Sequence, residues 1–166
     1  NPSSQAHRQV VVFKAENLAE KFNRVEFRLG EMAHDLNSEV ASMVDDVNNS
    51  ITFLEQIGHL ISSNKLLSNA NDYQDKFHHR VEELSKFIDV QFEFKPTATV
   101  DPTSGKAMEK LNMTIGGVDV IEDGDIVSKL ALVIKDAKGN RVTRKNNLLE
   151  RGDKVYVETI KSSEHF

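Results

Sequence analysis

One apolar stripe at helical spacing dominates the first half of the chain. It reads Leu18, Phe22, Val25, Leu29, Met32, Leu36, Val40, Met43, Val47, Ile51 and Leu54, and continues to Ile57 or Ile61. Nearly every step is three or four residues, so one side of a helix stays apolar for about 45 residues. Such a helix spans roughly 65 Å, against about 11–12 residues for an average globular helix. A rod of this kind spans, dimerises or transmits; it carries no chemistry of its own.

The rhythm of the stripe changes along its length. From Leu18 to Met32 the steps are 4-3-4-3, the heptad pattern of a left-handed supercoil. From Met32 to Leu54 they become 4-4-3 twice, an eleven-residue repeat that favours a straight or slightly right-handed path. The pattern predicts a helix from about Lys14 to Ser62. Two places oppose it. Gly30 costs about 1 kcal/mol relative to Ala inside a helix. Asn48-Asn49-Ser50 is poor helix material, and Thr52-Phe-Leu-Glu55 fits a capping box, so a break near residue 49 is the competing expectation.

A polar connector rich in Ser and Asn leads to a second stripe, Tyr73, Phe77, Val81, Leu84 and Ile88, which predicts a helix over 72–88. A short connector favours an antiparallel pair, with the second helix less than half as long as the first. Part of the first helix is then left to find another partner. At Val90 the period switches to two. Val90, Phe92 and Phe94 alternate with Gln91 and Glu93 and read as a half-buried strand that Pro96 ends. Residues 97–110 read as an irregular excursion. Strand material follows over 111–121, with a turn at Gly116-Gly117 and a tight turn at Glu122-Asp-Gly-Asp125. Leu130 to Ile134 is apolar on both faces and reads as a central strand. Asp136-Ala-Lys-Gly-Asn140 is a hairpin loop, and 154–160 is the last strand. The expected class is α+β: a long N-terminal amphipathic helix paired with a shorter one, then a small, mostly antiparallel sheet. The expected parts are a helical hairpin or stalk at 14–93 and a β-rich part at 94–162 that shares a core with it. The β part has an aliphatic core and leans on the helices for stability.

Composition narrows the function. Net charge is −5, which argues against nucleic-acid binding. Residues 1–93 hold nine Lys and Arg against fifteen Asp and Glu, so the acidity sits in the helical part. There is no cysteine, which excludes disulfides, thiol catalysis and cysteine-ligated zinc. No run approaches 18 apolar residues, so any membrane attachment comes from a segment outside this chain. The chain opens on Asn1, consistent with a processed or excised piece.

Several local patterns carry candidate chemistry. Met32-Ala-His34-Asp35-Leu-Asn37, within a helix, resembles the phospho-accepting box of histidine kinases and phosphotransfer proteins, which implies His34 as a phosphoacceptor. The proline that often follows such a box is replaced by Ser38-Glu39-Val40, and no nucleotide-binding motif follows. Glu55 and His59, and Asp75 with His78 and His79, stand at chelating helical spacing, but nothing in the sequence supplies the remaining ligands, so no metal is expected. Asp119, Glu122, Asp123 and Asp125 surround a glycine without the spacing of a calcium loop. Lys135, Lys138, Arg141, Arg144 and Lys145 form a basic patch on an acidic chain, suited to a small anionic ligand or an acidic partner surface. Arg151-Gly152-Asp153 spells an integrin-type tripeptide in the turn before the last strand. No Ser-His-Asp grouping, P-loop or dinucleotide fingerprint is present, and no cofactor is implied.

Three functions fit these patterns. The first is a non-enzymatic sensing or signal-relay domain of a bacterial membrane receptor, lying in the periplasm or outside the cell. The order of elements is similar in outline to Cache-type sensor domains, and the analogy rests on that order alone. The second is a structural or adaptor protein, a helical stalk with a β head, in a virion, secretion or surface assembly. The third is phosphotransfer through His34. In the first two, self-association or partner binding runs through Leu18, Phe22, Val25, Leu29 and Met32.

Overall fold

The structure is a computed structural model, and it describes residues 4–63, 70–100, 105, 107–143, 149–150 and 152–162. The fold is α+β. Helix α1 runs Gln5–Ser63 and α2 runs Ala70–Ser85. Among the described residues seven strands follow: β1 Val90–Val100, β2 Ala107–Ile115, β3 Val118–Glu122, β4 Asp125–Ile126, β5 Ser128–Lys135, β6 Arg141–Val142 and β7 Lys154–Lys161. They form two sheets rather than the single one expected, with orders β1-β2-β3-β4 and β6-β5-β7. By contact, one unit comprises residues 1–40 and 134–154, and the other 41–133 and 155–166. This division follows contact density and cuts through α1, whereas the division at 93/94 follows the change of hydrophobic period.

In the larger unit, α1 is continuous through Asn48-Asn49-Ser50, so the break expected near residue 49 does not occur. The polar side chains there are satisfied without leaving the helix. Ser50 Oγ donates to Asp46 O at 2.8 Å and Thr52 Oγ1 to Asn48 O at 3.0 Å, each one turn back. Asn48 makes the long-range bonds. Its Nδ2 donates to Leu130 O at 2.8 Å, and its Oδ1 accepts from Leu130 N–H at 2.9 Å. The amide thus pairs with β5 as a neighbouring strand would, at a residue whose peptide groups need partners.

Ile51, Leu54, Ile57 and Ile61 of α1 join Phe77, Val81 and Leu84 of α2, Leu111, Met113 and Ile115 of β2, and Val120 and Ile121 of β3 in one buried cluster. Helices and the first sheet therefore share a core. Gly58 sets how closely α1 lies on β2: a Cβ there would come within 2.8 Å of Leu111 Cδ2. The guanidinium of Arg80 on α2 lies 5.3 Å over the Phe53 ring of α1. Phe77 meets Phe92 at 4.9 Å and Phe94 at 5.5 Å between ring centroids, fastening α2 to β1.

Strand β1 runs through Pro96 to Val100, where an end at Pro96 and an irregular stretch were expected. It is the edge of its sheet, where a residue without an N–H is tolerated. The cost is local: the register shifts between Pro96, opposite Glu109, and Val100, opposite Ala107. Helix α2 stops at Ser85 rather than Ile88. Its last turn tightens, with Lys86 N–H on Glu83 O and Phe87 N–H on Leu84 O. Gly116 and Gly117 both take positive φ between β2 and β3, as do Asp123 and Gly124 between β3 and β4, as two-residue type I′ hairpins require. Met113 pairs with Ile121 and Thr114 with Asp119, so β3 carries one extra residue at Val120. This bulge explains why Val120 and Ile121, consecutive in a strand, are both buried.

Candidate assembly interface

In the smaller unit the first part of α1 presents the heptad residues to solvent. Leu18, Phe22, Val25, Leu29 and Met32 are 53–66% exposed. The helix begins at Gln5, nine residues before the expected start, and the rhythm extends with it. Val11, Ala15, Leu18, Phe22, Val25, Leu29, Met32 and Leu36 follow 4-3-4-3-4-3-4 without interruption. Isolated exposed apolar residues need no explanation, but a row at coiled-coil spacing does. The contrast lies within one helix. At Ile51 and Leu54 the stripe is fully buried, whereas over 11–36 it is open.

The flanks of the row differ. Lys14, Lys21 and Arg28 stand seven residues apart along one side, each exposed, and Asp35 closes that row beside Leu36. The other side carries Val12, Ala19 and Ala33, interrupted by Glu26. An apolar seam with one basic border is the surface a second helix with carboxylates on its matching side would cover. The 4-3 pattern from Leu18 to Met32 is legible in the sequence; its extension to Val11 follows from the start of α1 at Gln5.

His34 is half-buried, with its Nδ1 enclosed and without a hydrogen-bond partner among the described residues, while Asp35 beside it is exposed. Ser38 Oγ donates to the His34 carbonyl at 3.1 Å. The phosphotransfer box thus lies on regular helix, with its His less open than its Asp.

The basic patch is only partly described. Lys135 and Arg141 are partners across the β5–β6 hairpin, and Lys138 lies in its loop; Arg144 and Lys145 lie outside the described residues. The loop is organised by an acid. Asp136 Oδ1 accepts from the Lys138 and Asn140 N–H groups, both at 2.9 Å, and Oδ2 accepts from Asn140 Nδ2 at 3.1 Å. Gly139 takes φ 86°, as its place in the loop demands. The Gly152–Asp153 turn lies against this loop, since a Cβ on Gly152 would fall 3.0 Å from Ala137 Cβ. Arg151 of the tripeptide lies outside the described residues, and Asp153 accepts from Glu150 N–H at 2.9 Å. The cations therefore share their hairpin with Asp136, and the turn carrying Asp153 lies against its loop.

The bonds from Asn140, backbone first and then side chain, hold the Asp136 carboxyl below its ordinary 3.8. A depressed carboxylate stabilises the fold above its unfolded value and loses that contribution as pH falls through the folded one. The Lys138, Gly139 and Asn140 amide resonances are therefore expected to move together in acid, with a midpoint below 3.8. A pH titration by NMR checks this. Movement centred at or above the ordinary carboxylate range would show that these bonds do not form.

The histidine and carboxylate pairs fall in different surroundings. His78 lies against the rings of Phe77 and Phe92, and His79 reaches Glu83 at 3.6 Å on the exposed side of α2. His59 Nε2 lies 3.2 Å from Glu55 Oε1. Asp125, read from the sequence only as part of an acidic turn, comes into the same neighbourhood through the β3–β4 hairpin.

No curated protein and no solved structure matches the chain. A family profile does, described as the flagellar hook-associated protein FlgK helical domain, and it covers residues 1–161. That span takes in both helices and all seven strands, up to the last residue of β7. The chain therefore belongs to the family of the flagellar hook-associated protein FlgK helical domain.

Proposed function

We propose that this chain is a non-catalytic structural piece of a flagellar hook-associated assembly, docking a neighbouring helix along Leu18, Phe22, Val25, Leu29 and Met32. Family membership supports the structural reading over the receptor-sensing one. The observation that carries the docking face is the uninterrupted heptad row, open to solvent in the described residues. Its basic border selects the occupant. In a parallel pair of identical copies, Lys21 meets Glu26 while Lys14 and Arg28 face Ala19 and Ala33. In an antiparallel pair this edge meets its own copy, cation on cation except where Asp35 comes opposite one of them. A flagellar helix with acidic flanks fits better than a second copy.

The absence of cysteine gives a clean test. Single Phe22→Cys and Glu20→Cys variants are labelled with a maleimide, first free and then in the assembled flagellar structure. Phe22→Cys is expected to react at the free-thiol rate in the isolated chain and at least about tenfold more slowly once assembled, as burial of a thiol demands. Equal rates before and after assembly at Phe22, with protection at Glu20 instead, would place the contact on another face.

A further inference from the structure

We propose that Glu55, His59 and Asp125 form a zinc site that ties α1 to the β3–β4 turn. One ligand atom from each residue lies within 4.8 Å of the other two. Glu55 and His59 are one turn apart on the same side of α1, and Nε2 of His59 is 3.2 Å from Glu55 Oε1. Asp125 starts β4, paired with Glu122 across the Asp123–Gly124 turn. The three side chains come from two elements that the core already fixes against each other.

Several contacts set that placement. Ile51, Leu54, Ile57 and Ile61 bury the adjoining side of the same helical stretch. Gly58 lets α1 settle on Leu111 of β2. The turn is held by Gly124 N–H on Leu111 O at 2.9 Å and by Asp123 N–H on Asn112 Oδ1 at 3.0 Å. Gly124 also lets the turn close on the ligand itself, because a Cβ there would lie 3.3 Å from His59 Cε1. At φ 86° this position favours glycine for conformational reasons as well.

The donor set is one imidazole and two carboxylates. Zinc takes such ligands at about 2.0–2.2 Å in a tetrahedron, with donor atoms about 3.4 Å apart. Closing from 4.8 Å to that spacing needs only small side-chain rotations, and His59 and Asp125 are exposed enough to make them. Water completes the fourth position. In this arrangement the ion ties α1 to the β3–β4 turn. The Glu55–His59 spacing shows in the sequence, but Asp125 lies 66 residues beyond His59 and is supplied only by the fold.

The test uses the whole chain after chelator treatment, titrated with cobalt as a spectroscopic probe and then with zinc. The expected result is one saturable equivalent with tetrahedral cobalt bands that zinc displaces. Asp125→Asn, which keeps the side-chain shape, and His59→Gln are each expected to weaken binding about tenfold or more, with unchanged circular dichroism. His79→Gln, which removes the other helical His–Glu pair, is expected to change nothing. Zinc at a hundred times its Kd should raise Tm by about 5–10 °C in the wild type and not in Asp125→Asn. No saturable equivalent at millimolar zinc overturns the proposal. So does an Asp125→Asn titration identical to wild type, or loss of the site in His79→Gln.

Discussion

Phe77→Ala is expected to lower the stability of the larger unit by about 3–5 kcal/mol, the usual cost of removing a fully buried aromatic ring. Phe77 is 1% exposed and is the largest side chain in the core. Its ring packs edge-on against Phe92 and tilted against Phe94, so the substitution removes both the transfer free energy and two ring–ring contacts. The cavity cannot close easily. Gly58 already brings α1 into contact with β2, and Phe92 and Phe94 are fixed by their pairing with Met113 and Leu111. Urea unfolding should show a large fall in midpoint with little change in slope. Phe87→Ala is the control, since Phe87 is 72% exposed and its loss should stay within about 0.5 kcal/mol. Equal midpoints for the two variants would mean that α2 is not held to β1 by this cluster.

What the sequence made legible was mostly periodic. The stripe in α1, the shorter stripe in α2 and the switch to period two at Val90 each follow from a side chain's need to face the core. The turns at Gly116-Gly117, Asp123-Gly124 and Gly139 were legible because positive φ leaves few residue choices. The misses share a different cause. Among the competing expectations, the break at Asn48-Asn49-Ser50 gives way to the continuous helix the stripe predicts, because Asn propensity is local, whereas the bonds of Asn48 to Leu130 cross 82 positions. Pro96 looked like a strand end because only topology puts β1 at a sheet edge. The excursion expected over 97–110 left too little strand for the same reason. The pairing of Pro96 with Glu109 and of Val100 with Ala107 is a property of two segments together.

The candidate sites divide along the same line. Leu18 to Met32 could be read as an interface because seven-residue spacing is itself the signal. Structure added that the row is exposed and continues back to Val11. The basic patch was read from a run of Lys and Arg, and the folded hairpin sets Asp136 among those cations as the residue that closes the loop. The metal reading failed at the third ligand. Two carboxylates and an imidazole converge there only because a β bulge and two tight hairpins return Asp125 toward α1.

The same physical reasoning makes the docking face the sharpest functional target. Val25→Asp with Leu29→Asp is expected to abolish association through α1 while leaving the fold intact. Each side chain is worth about 1.5–3 kcal/mol when fully buried at an interface, so the pair supplies about 3–6 kcal/mol. At 1.4 kcal/mol per decade, Kd should rise by at least about a hundredfold, more where the carboxylates are trapped against an apolar partner. Stability of the isolated chain should change far less. Val25 and Leu29 are 53% and 60% exposed, so their loss opens no cavity. The remaining cost is the poorer helix propensity of Asp and a weak repulsion one turn apart, each a few tenths of a kcal/mol. Glu20→Lys, on the same helix but outside the seam, is the control for charge alone. Sedimentation of the chain at high micromolar concentration, and of its mixtures with other hook-associated flagellar proteins, reads the result. Complexes that survive the double substitution and fall apart with Glu20→Lys would assign assembly to the charged side of α1 and remove the heptad row from the interface.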